Sequence, residues 1–447
     1  MSDLIQSFSN WLWGLPMLTL VLGTGLYLIL RLRAVQVREF VPALKLLFTA
    51  KKDGDGDISP FAALMTAVGG IVGNGNLAGV ATAVTAGGPG ALFWMWISGV
   101  VGMGTMFAES VLGVQFRKRD TKGLFVGGPM YYLRDGLGWP RVAAFFAFGL
   151  AIKTLFATTV VQSNSIASVV SSQIGWSPLT TCLLLAVVCG FAIIGGVRSV
   201  ARTSEILAPL MGVLYLTGAA VVLVTFRDQI VPSLQLVVNS AFSPVAATGG
   251  FLGAGVREAF RFGVARGVYS NEAGTGSVPI AHASAQTNNP VRQGKVAMLG
   301  VFIDTLVVST ATGLALLVTG AWHSGLDSTA LTARAFSDAL GSIGGPLVLV
   351  CSVLFGLSTL ITWSFYGEQS ASYLFGPRAR PIYRILYCSA IAGGAIAGPR
   401  LTWAWADILN GMMAIPNLVA LLAMAGGLAK LVRSQAAAET GPTKEAT

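Results

Sequence analysis

Val68-Gly69-Gly70-Ile71-Val72-Gly73-Asn74-Gly75-Asn76-Leu77 sits inside an apolar segment, Phe61 to Ala86, that is long enough to cross a bilayer. A spanning helix can leave backbone groups unpaired only where they face protein, a cavity or a ligand. Residues 69–76 hold four glycines and two asparagines. Close helix packing alone would explain Gly69, Gly73 and Gly79. It does not explain the asparagines, because an amide inside a span is costly unless paired. The stretch therefore reads as a helix opened near the bilayer midplane, which is how secondary transporters build their sites. No strand precedes it and the glycine spacing is wrong for a dinucleotide loop.

Composition agrees. The chain is 54% hydrophobic and only 11% charged, against roughly 25% charged in soluble domains. Alternating ten-residue strands are absent, so the class is an all-α integral membrane protein rather than a barrel. The net charge of +10 reflects basic loops on one side of the membrane, and nucleic acid is not an expected partner. Met1 to Asn10 lacks the basic start of a cleaved leader, so Trp11 to Leu30 reads as a retained span. Cys182, Cys189, Cys351 and Cys388 lie in apolar segments and read as buried thiols. His282 and His323 are the only histidines, too few for a histidine metal site. Asp53-Gly54-Asp55-Gly56-Asp57 opens like a calcium loop but has Ile58 and Leu64 where the loop needs glycine and glutamate. It reads as a solvated loop capping the next helix.

Eleven spans are expected, near 11–30, 61–86, 91–115, 143–170, 178–195, 205–226, 244–270, 295–320, 346–375, 382–398 and 403–429. Lysine and arginine cluster on alternate sides of them. Arg31, Arg33, Arg38, Lys51 and Lys52 follow the first span, Arg117, Lys118 and Arg119 the third, and Lys430 and Arg433 the last. The opposite loops hold only Arg227, Arg334 and Arg400. The N-terminus is thus expected outside and the C-terminus in the cytoplasm. After the first span two groups of five remain. An odd-numbered unit repeated once must be inverted in the membrane. The expected organisation is an extra helix and linker (1–52), a first five-helix repeat (53–229), a second, inverted repeat (230–433) and a disordered tail (434–447). The second repeat has its own glycine-rich stretch, Thr248-Gly249-Gly250-Phe251-Leu252-Gly253-Ala254-Gly255. Paired interruptions in two halves point to a transporter site.

The chain resembles the alanine or glycine:cation symporter family. Gly87-Gly88-Pro89-Gly90-Ala91-Leu92-Phe93-Trp94-Met95-Trp96 is similar to the family signature, and Gly73 to Ala83 to the stretch before it. Gly127-Gly128-Pro129-Met130-Tyr131-Tyr132, Ser270-Asn271-Glu272-Ala273-Gly274 and Thr362-Trp363-Ser364 are similar as well. The resemblance runs from about Asp57 to Ala429. It implies a leucine-transporter-like fold of two inverted five-helix repeats plus one N-terminal helix. It also implies sodium-coupled symport of small neutral amino acids across the cell membrane. No obligate protein partner is evident in the sequence.

The substrate carboxylate suits the start of a half-helix, where free N–H groups and the dipole favour negative charge. Gly73, Asn74, Gly75 and Asn76 fit that role, with Gly250 and Phe251 as the facing wall. Gln162, deep in the fourth span, either accepts from the substrate ammonium or ties two helices; the resemblance favours the pocket. Trp363, four residues after Thr359 on the same helix face, is expected to limit substrate size. The resemblance also implies a sodium site made by the hydroxyls of Ser358 and Thr359 with the carbonyls of Gly69, Val72 and Phe355. Asp304, about nine residues into the eighth span, is a polar tie, or the proton carrier of an alternative proton-coupled mechanism. Glu109, Glu272 and Glu368 are expected to pair with nearby arginines or to cap helices.

Other classes fit less well. A channel would need a continuous polar lining, a sensing receptor an attached signalling domain. An enzyme would need a metal-ligand pattern, a Gly-x-Ser-x-Gly motif or paired histidines, none of which occurs. The topology is directly testable. With the native cysteines replaced, single cysteines at Lys51 and Thr447 should resist an impermeant thiol reagent on intact cells and react after permeabilisation. Labelling of either from outside would reverse the orientation.

Overall fold

A computed structural model of the chain describes residues 2–49, 54–243, 255–396 and 399–440. Gly250 and Phe251 lie outside them. Nearly all described residues are helical; among them the strands are one two-residue pair, Lys118–Arg119 with Phe125–Val126, beside a single isolated bridge between Ile58 and Ala285.

Among the described residues seven helices are long and apolar enough to cross a membrane, and a bent pair, taken as one span, makes an eighth. The sequence expectation was eleven. The other three expected positions carry shorter helices, Pro178–Ile193, Val256–Asn271 and Ala379–Gly393, of 16, 16 and 15 residues. The count of eleven spans is therefore not established. The last helix, Pro399–Thr440, runs beyond Arg433, and residues 441–447 of the expected tail lie outside the described residues.

The bent pair is the stretch that opened the sequence reading. Pro60 starts the first half, and Ser59, not one of the preceding aspartates, caps it by accepting from the Ala62 N–H at 3.0 Å. The helix runs to Ile71. Val72 then turns extended (φ −75°, ψ 100°), and the chain restarts as a wide turn, Gly75–Gly79, followed by Val80–Gly87. The two halves meet at 50°. The restart is capped by its own side chain: the Gly73 N–H donates to Asn76 Oδ1 at 2.9 Å while the Asn76 N–H donates to the Gly73 carbonyl at 3.0 Å. This reciprocal pairing satisfies donors that an opened helix would otherwise leave bare.

A second break is described in the other half. Val256–Asn271 ends at Glu272, which adopts a left-handed conformation (φ 56°). A non-helical link follows, with Gly274 at φ 90° and Gly276 at φ 82°, and Pro279–Ala283 resumes the helix. Gly276 admits no side chain, since a β-carbon there would stand 2.5 Å from Pro129 Cγ. This break begins 16 residues after Gly255, counting from Gly255 to Asn271, so it is distinct from the glycine-rich stretch noted above. The two described breaks face each other: a β-carbon on Gly75 would lie 3.7 Å from the Tyr269 ring and 3.8 Å from Ser270 Cα.

The two broken helices also meet at their basic ends. The Asp57 N–H donates to the Ser284 carbonyl at 2.9 Å and the Gln286 N–H to the Ile58 carbonyl at 2.8 Å. Arg117 clasps this junction, donating to the carbonyls of Ala283, Ala285, Thr287 and Asp55 at 3.1, 2.6, 2.5 and 2.8 Å. At the opposite end a cavity of about 560 Å³ opens between the last turns of Thr159–Ile174 and the short helix Ser328–Leu340. Asn164, Ser168, Ser172 and Gln173 line it from one side, Asp327 and Arg334 from the other.

Candidate transport site

The opened stretch is gripped by amides and hydroxyls. Asn74 is fully buried; its Nδ2 donates to Gln162 Oε1 at 3.0 Å, and its Oδ1 accepts from Ser352 at 2.7 Å. Asn76 Nδ2 lies 2.8 Å from Asp304 Oδ1, 3.0 Å from Ser270 Oγ and 3.1 Å from Ser309 Oγ. Ser270 and Thr305 also donate to the Asp304 carboxylate, at 3.0 and 2.8 Å. Asp304 thus braces the first break against the end of Val256–Asn271. Among the described residues no basic side chain pairs with it.

On the other face of the opening lie two adjacent hydroxyls. A β-carbon on Gly69 would stand 2.5 Å from Ser358 Oγ, and one on Gly73 would stand 2.5 Å from Thr359 Oγ1. Only glycine lets these oxygens reach the main chain. Thr359 donates to the Phe355 carbonyl at 3.0 Å, while Ser358 Oγ is buried without a hydrogen-bond partner. Ser204 Oγ is in the same condition, 3.5 Å from the Gly69 β-carbon position. A buried hydroxyl without a partner is uncommon. Two of them converging on one glycine make an oxygen-lined spot suited to a hard cation.

Trp363 is buried beneath the opening. Its indole N–H donates to the Gly70 carbonyl at 2.9 Å. Lys153 Nζ stands 4.0 Å from the centre of its ring. This lysine escaped the sequence reading, though one cation inside the apolar run Val142 to Phe156 is itself a functional signal. It is 2% exposed and donates to Glu272 Oε1 and Oε2 at 3.1 and 3.2 Å, and to Asn410 Oδ1. Thr275 and Ser277 complete the shell of Glu272 at 2.7 and 3.3 Å. The ion pair joins Pro140–Lys153 to the second break, directly under Trp363.

The acidic residues divide accordingly. Glu368 meets arginine as expected, pairing with Arg384 at 2.6 and 2.9 Å. Glu272 pairs with Lys153 and, among the described residues, with no arginine. Among the described residues Glu109 pairs with no base: it is fully buried and accepts from Asn417, which also bonds the Gly274 carbonyl at 2.9 Å and Tyr132. Of the residues singled out in the sequence, Gly69, Gly73, Asn74, Gly75, Asn76, Gln162, Ser358, Thr359 and Trp363 gather around one opening, with Val72 and Phe355 on its backbone. Ser204, Ser270 and Ser352 were not anticipated; single serines in a span carry no pattern of their own.

Two facing helix breaks inside a bundle of membrane-length helices define a secondary transporter of the leucine-transporter fold. The sequence matches the "Sodium:alanine symporter family" over residues 1–445, and the chain belongs to that family. It is 43% identical over 434 residues to the sodium/alanine symporter AgcS of Methanococcus maripaludis, covering 95% of each chain. It is 37% identical over 413 residues to the probable sodium/glutamine symporter GlnT of Bacillus subtilis, covering 92% of this chain and 85% of that one. Among solved structures it is similar to MhsT in complex with L-phenylalanine, with a TM-score of 0.59 at 13% identity over 86% of this chain and 99% of that one. That likeness is one of fold.

The buried ion pair gives a stability test. Removing one partner strands a charge in the membrane interior, a loss of about 3–5 kcal/mol, whereas removing both is far milder. Lys153→Met should lower the thermal midpoint in detergent sharply, and Lys153→Met with Glu272→Gln should recover more than half of the loss. Equal midpoints for the single and double variants would show that the charges do not depend on each other.

Proposed function

We propose that this protein is a sodium-coupled symporter carrying small neutral amino acids, alanine and glycine, into the cell by alternating access. Its N-terminus lies outside and its C-terminus in the cytoplasm. The observation that carries this reading is the unpartnered Ser358 hydroxyl held against Gly69 at the opening of a broken span. Sodium is taken at that spot by Ser358 and Thr359, with the carbonyls of Gly69, Val72 and Phe355. The substrate carboxylate lies at the start of the Gly75–Gly87 half-helix, where the dipole favours an anion. The Gln162 amide oxygen, which accepts from Asn74 in this structure, takes the substrate ammonium. Trp363 closes the space beyond the β-carbon. Gly250 and Phe251 are proposed to wall the pocket from the second repeat.

The driving force follows from the charge. One sodium ion crossing the membrane with the field gains about 2.3 kcal/mol per 100 mV. A tenfold sodium gradient adds about 1.4 kcal/mol. A second reading, a proton-coupled carrier of the same fold, rests on Asp304, a buried carboxylate with only neutral hydrogen-bond partners. Uptake by purified protein in liposomes, with sodium, proton and potential gradients imposed singly, separates the two.

Two variants probe the roles. Ser358→Ala with Thr359→Ala removes two cation ligands worth roughly 1–1.5 kcal/mol each, so half-saturating sodium should rise about thirtyfold or more. If Asp304→Asn alone abolished cation dependence while the double variant kept it, the proton reading would replace the sodium one. Trp363→Ala should weaken alanine transport and admit leucine or methionine as competitors against labelled alanine. An unchanged size cut-off in a folded, sodium-responsive variant removes Trp363 from the pocket.

A further inference from the structure

A cavity of about 250 Å³ lies between the basic ends of the first span and the last helix. Its walls carry four arginines from two distant parts of the chain: Arg31, Arg33 and Arg38, and Arg433. The single acid at its rim, Glu39, is already neutralised. Arg38 holds its Oε1 at 3.3 Å and Lys295 its Oε2 at 3.0 Å. Among the described residues no acidic side chain pairs with Arg31, Arg33 or Arg433. The floor is apolar, made of buried Leu32, Ala429 and Val432.

The backbone is bent to build this cradle. The first span ends with the Ala34 N–H donating to the Ile29 carbonyl at 2.7 Å, and both Arg33 and Ala34 take left-handed conformations (φ 58° and 51°). Glycine is the usual residue at such a helix end. A non-glycine residue there is strained, and such strain is kept where it aims a group. Here it swings Arg33 over the cavity. The Arg433 Nε–H donates to the Ala429 carbonyl at 3.0 Å and fixes that guanidinium on the opposite wall. Arg31 lies along the last helix, its terminal nitrogen 3.9 Å from a β-carbon position on Gly426. A basic loop that merely orients the protein needs positive charge, not a strained turn or a walled cavity.

We propose that this cavity binds the phosphodiester headgroup of an anionic membrane phospholipid. Guanidinium groups match phosphate oxygens in bidentate geometry. The lipid is favoured over free phosphate by the apolar floor and by position. The cavity opens at the ends of two spans, below exposed Leu26 and Leu30, where acyl chains can lie. Binding there ties the first span to the last at the membrane surface.

The test uses the full-length protein in detergent with equimolar phosphatidylglycerol and phosphatidylcholine, read by native mass spectrometry. Wild type should retain the anionic lipid preferentially. Arg33→Glu with Arg433→Glu should reduce that preference about tenfold or more, and the milder Arg33→Gln with Arg433→Gln should reduce it less. Phosphatidylglycerol should raise the thermal midpoint of wild type but not of either variant. Inorganic phosphate at millimolar concentration should leave the lipid bound. Equal lipid preference in wild type and both variants, or displacement of the lipid by phosphate, overturns the proposal. A glutamate variant that does not fold is replaced in the comparison by the glutamine variant, whose unchanged lipid preference overturns it equally.

Discussion

One side-chain amide holds the opened helix in shape. Asn76 Oδ1 accepts the N–H that the break at Gly73 would leave bare, and Asn76 Nδ2 reaches the serine ending the other broken helix and the carboxylate of Asp304. Three separate chain segments meet at that group. An amide is suited to this because it accepts on one side and donates on the other. A hydroxyl is too short to bridge these partners. A carboxylate would stand against Asp304 and repel it. With the break fixed this way, Gly69 and Gly73 are turned toward the Gly344–Phe375 helix, where their missing side chains admit Ser358 and Thr359. The geometry of the proposed cation spot therefore depends on an interaction on the far side of the helix.

The first break was legible because glycine and asparagine together have no place in an ordinary span. The second was harder. Glycine density pointed to 248–255, of which 248–254 lie outside the described residues. The break that faces Gly75 uses only two glycines, with Ser270-Asn271-Glu272 ahead of them. In the sequence Glu272 reads as an arginine partner or a helix cap. The tertiary role of these three polar residues comes from partners far away in sequence: Lys153, Asp304 through Ser270, and Thr305 through Asn271. Lys153 itself was hidden by the apolar run around it. Glu109 misled in the opposite way, since a glutamate near a basic loop suggests an arginine and its partner is an asparagine on the last helix. Three of the expected spans fall on helices of 16, 16 and 15 residues, shorter than a bilayer crossing usually takes, so hydropathy finds the helices there without fixing which of them cross.

The polar ties differ in depth, and their depth assigns them different work. At the basic end Arg117 holds the two broken helices together through four backbone carbonyls, beside a more exposed pair, Arg119 with Asp55. Water can replace such bonds at modest cost. They can open and reform as the halves of a transporter rock against each other. The Lys153–Glu272 pair cannot be exchanged so cheaply, because separating it would strand both charges in a low-dielectric interior. It also seats the Trp363 ring, whose N–H is spent on the Gly70 carbonyl of the opened helix. A rocking motion that kept this deep pair intact would carry the floor of the site and the second break together, while the shallow clasp at Arg117 parted. Fixed charges deep in the bundle and replaceable ones at its rim are what a carrier needs if its site is to keep its shape while its access changes sides.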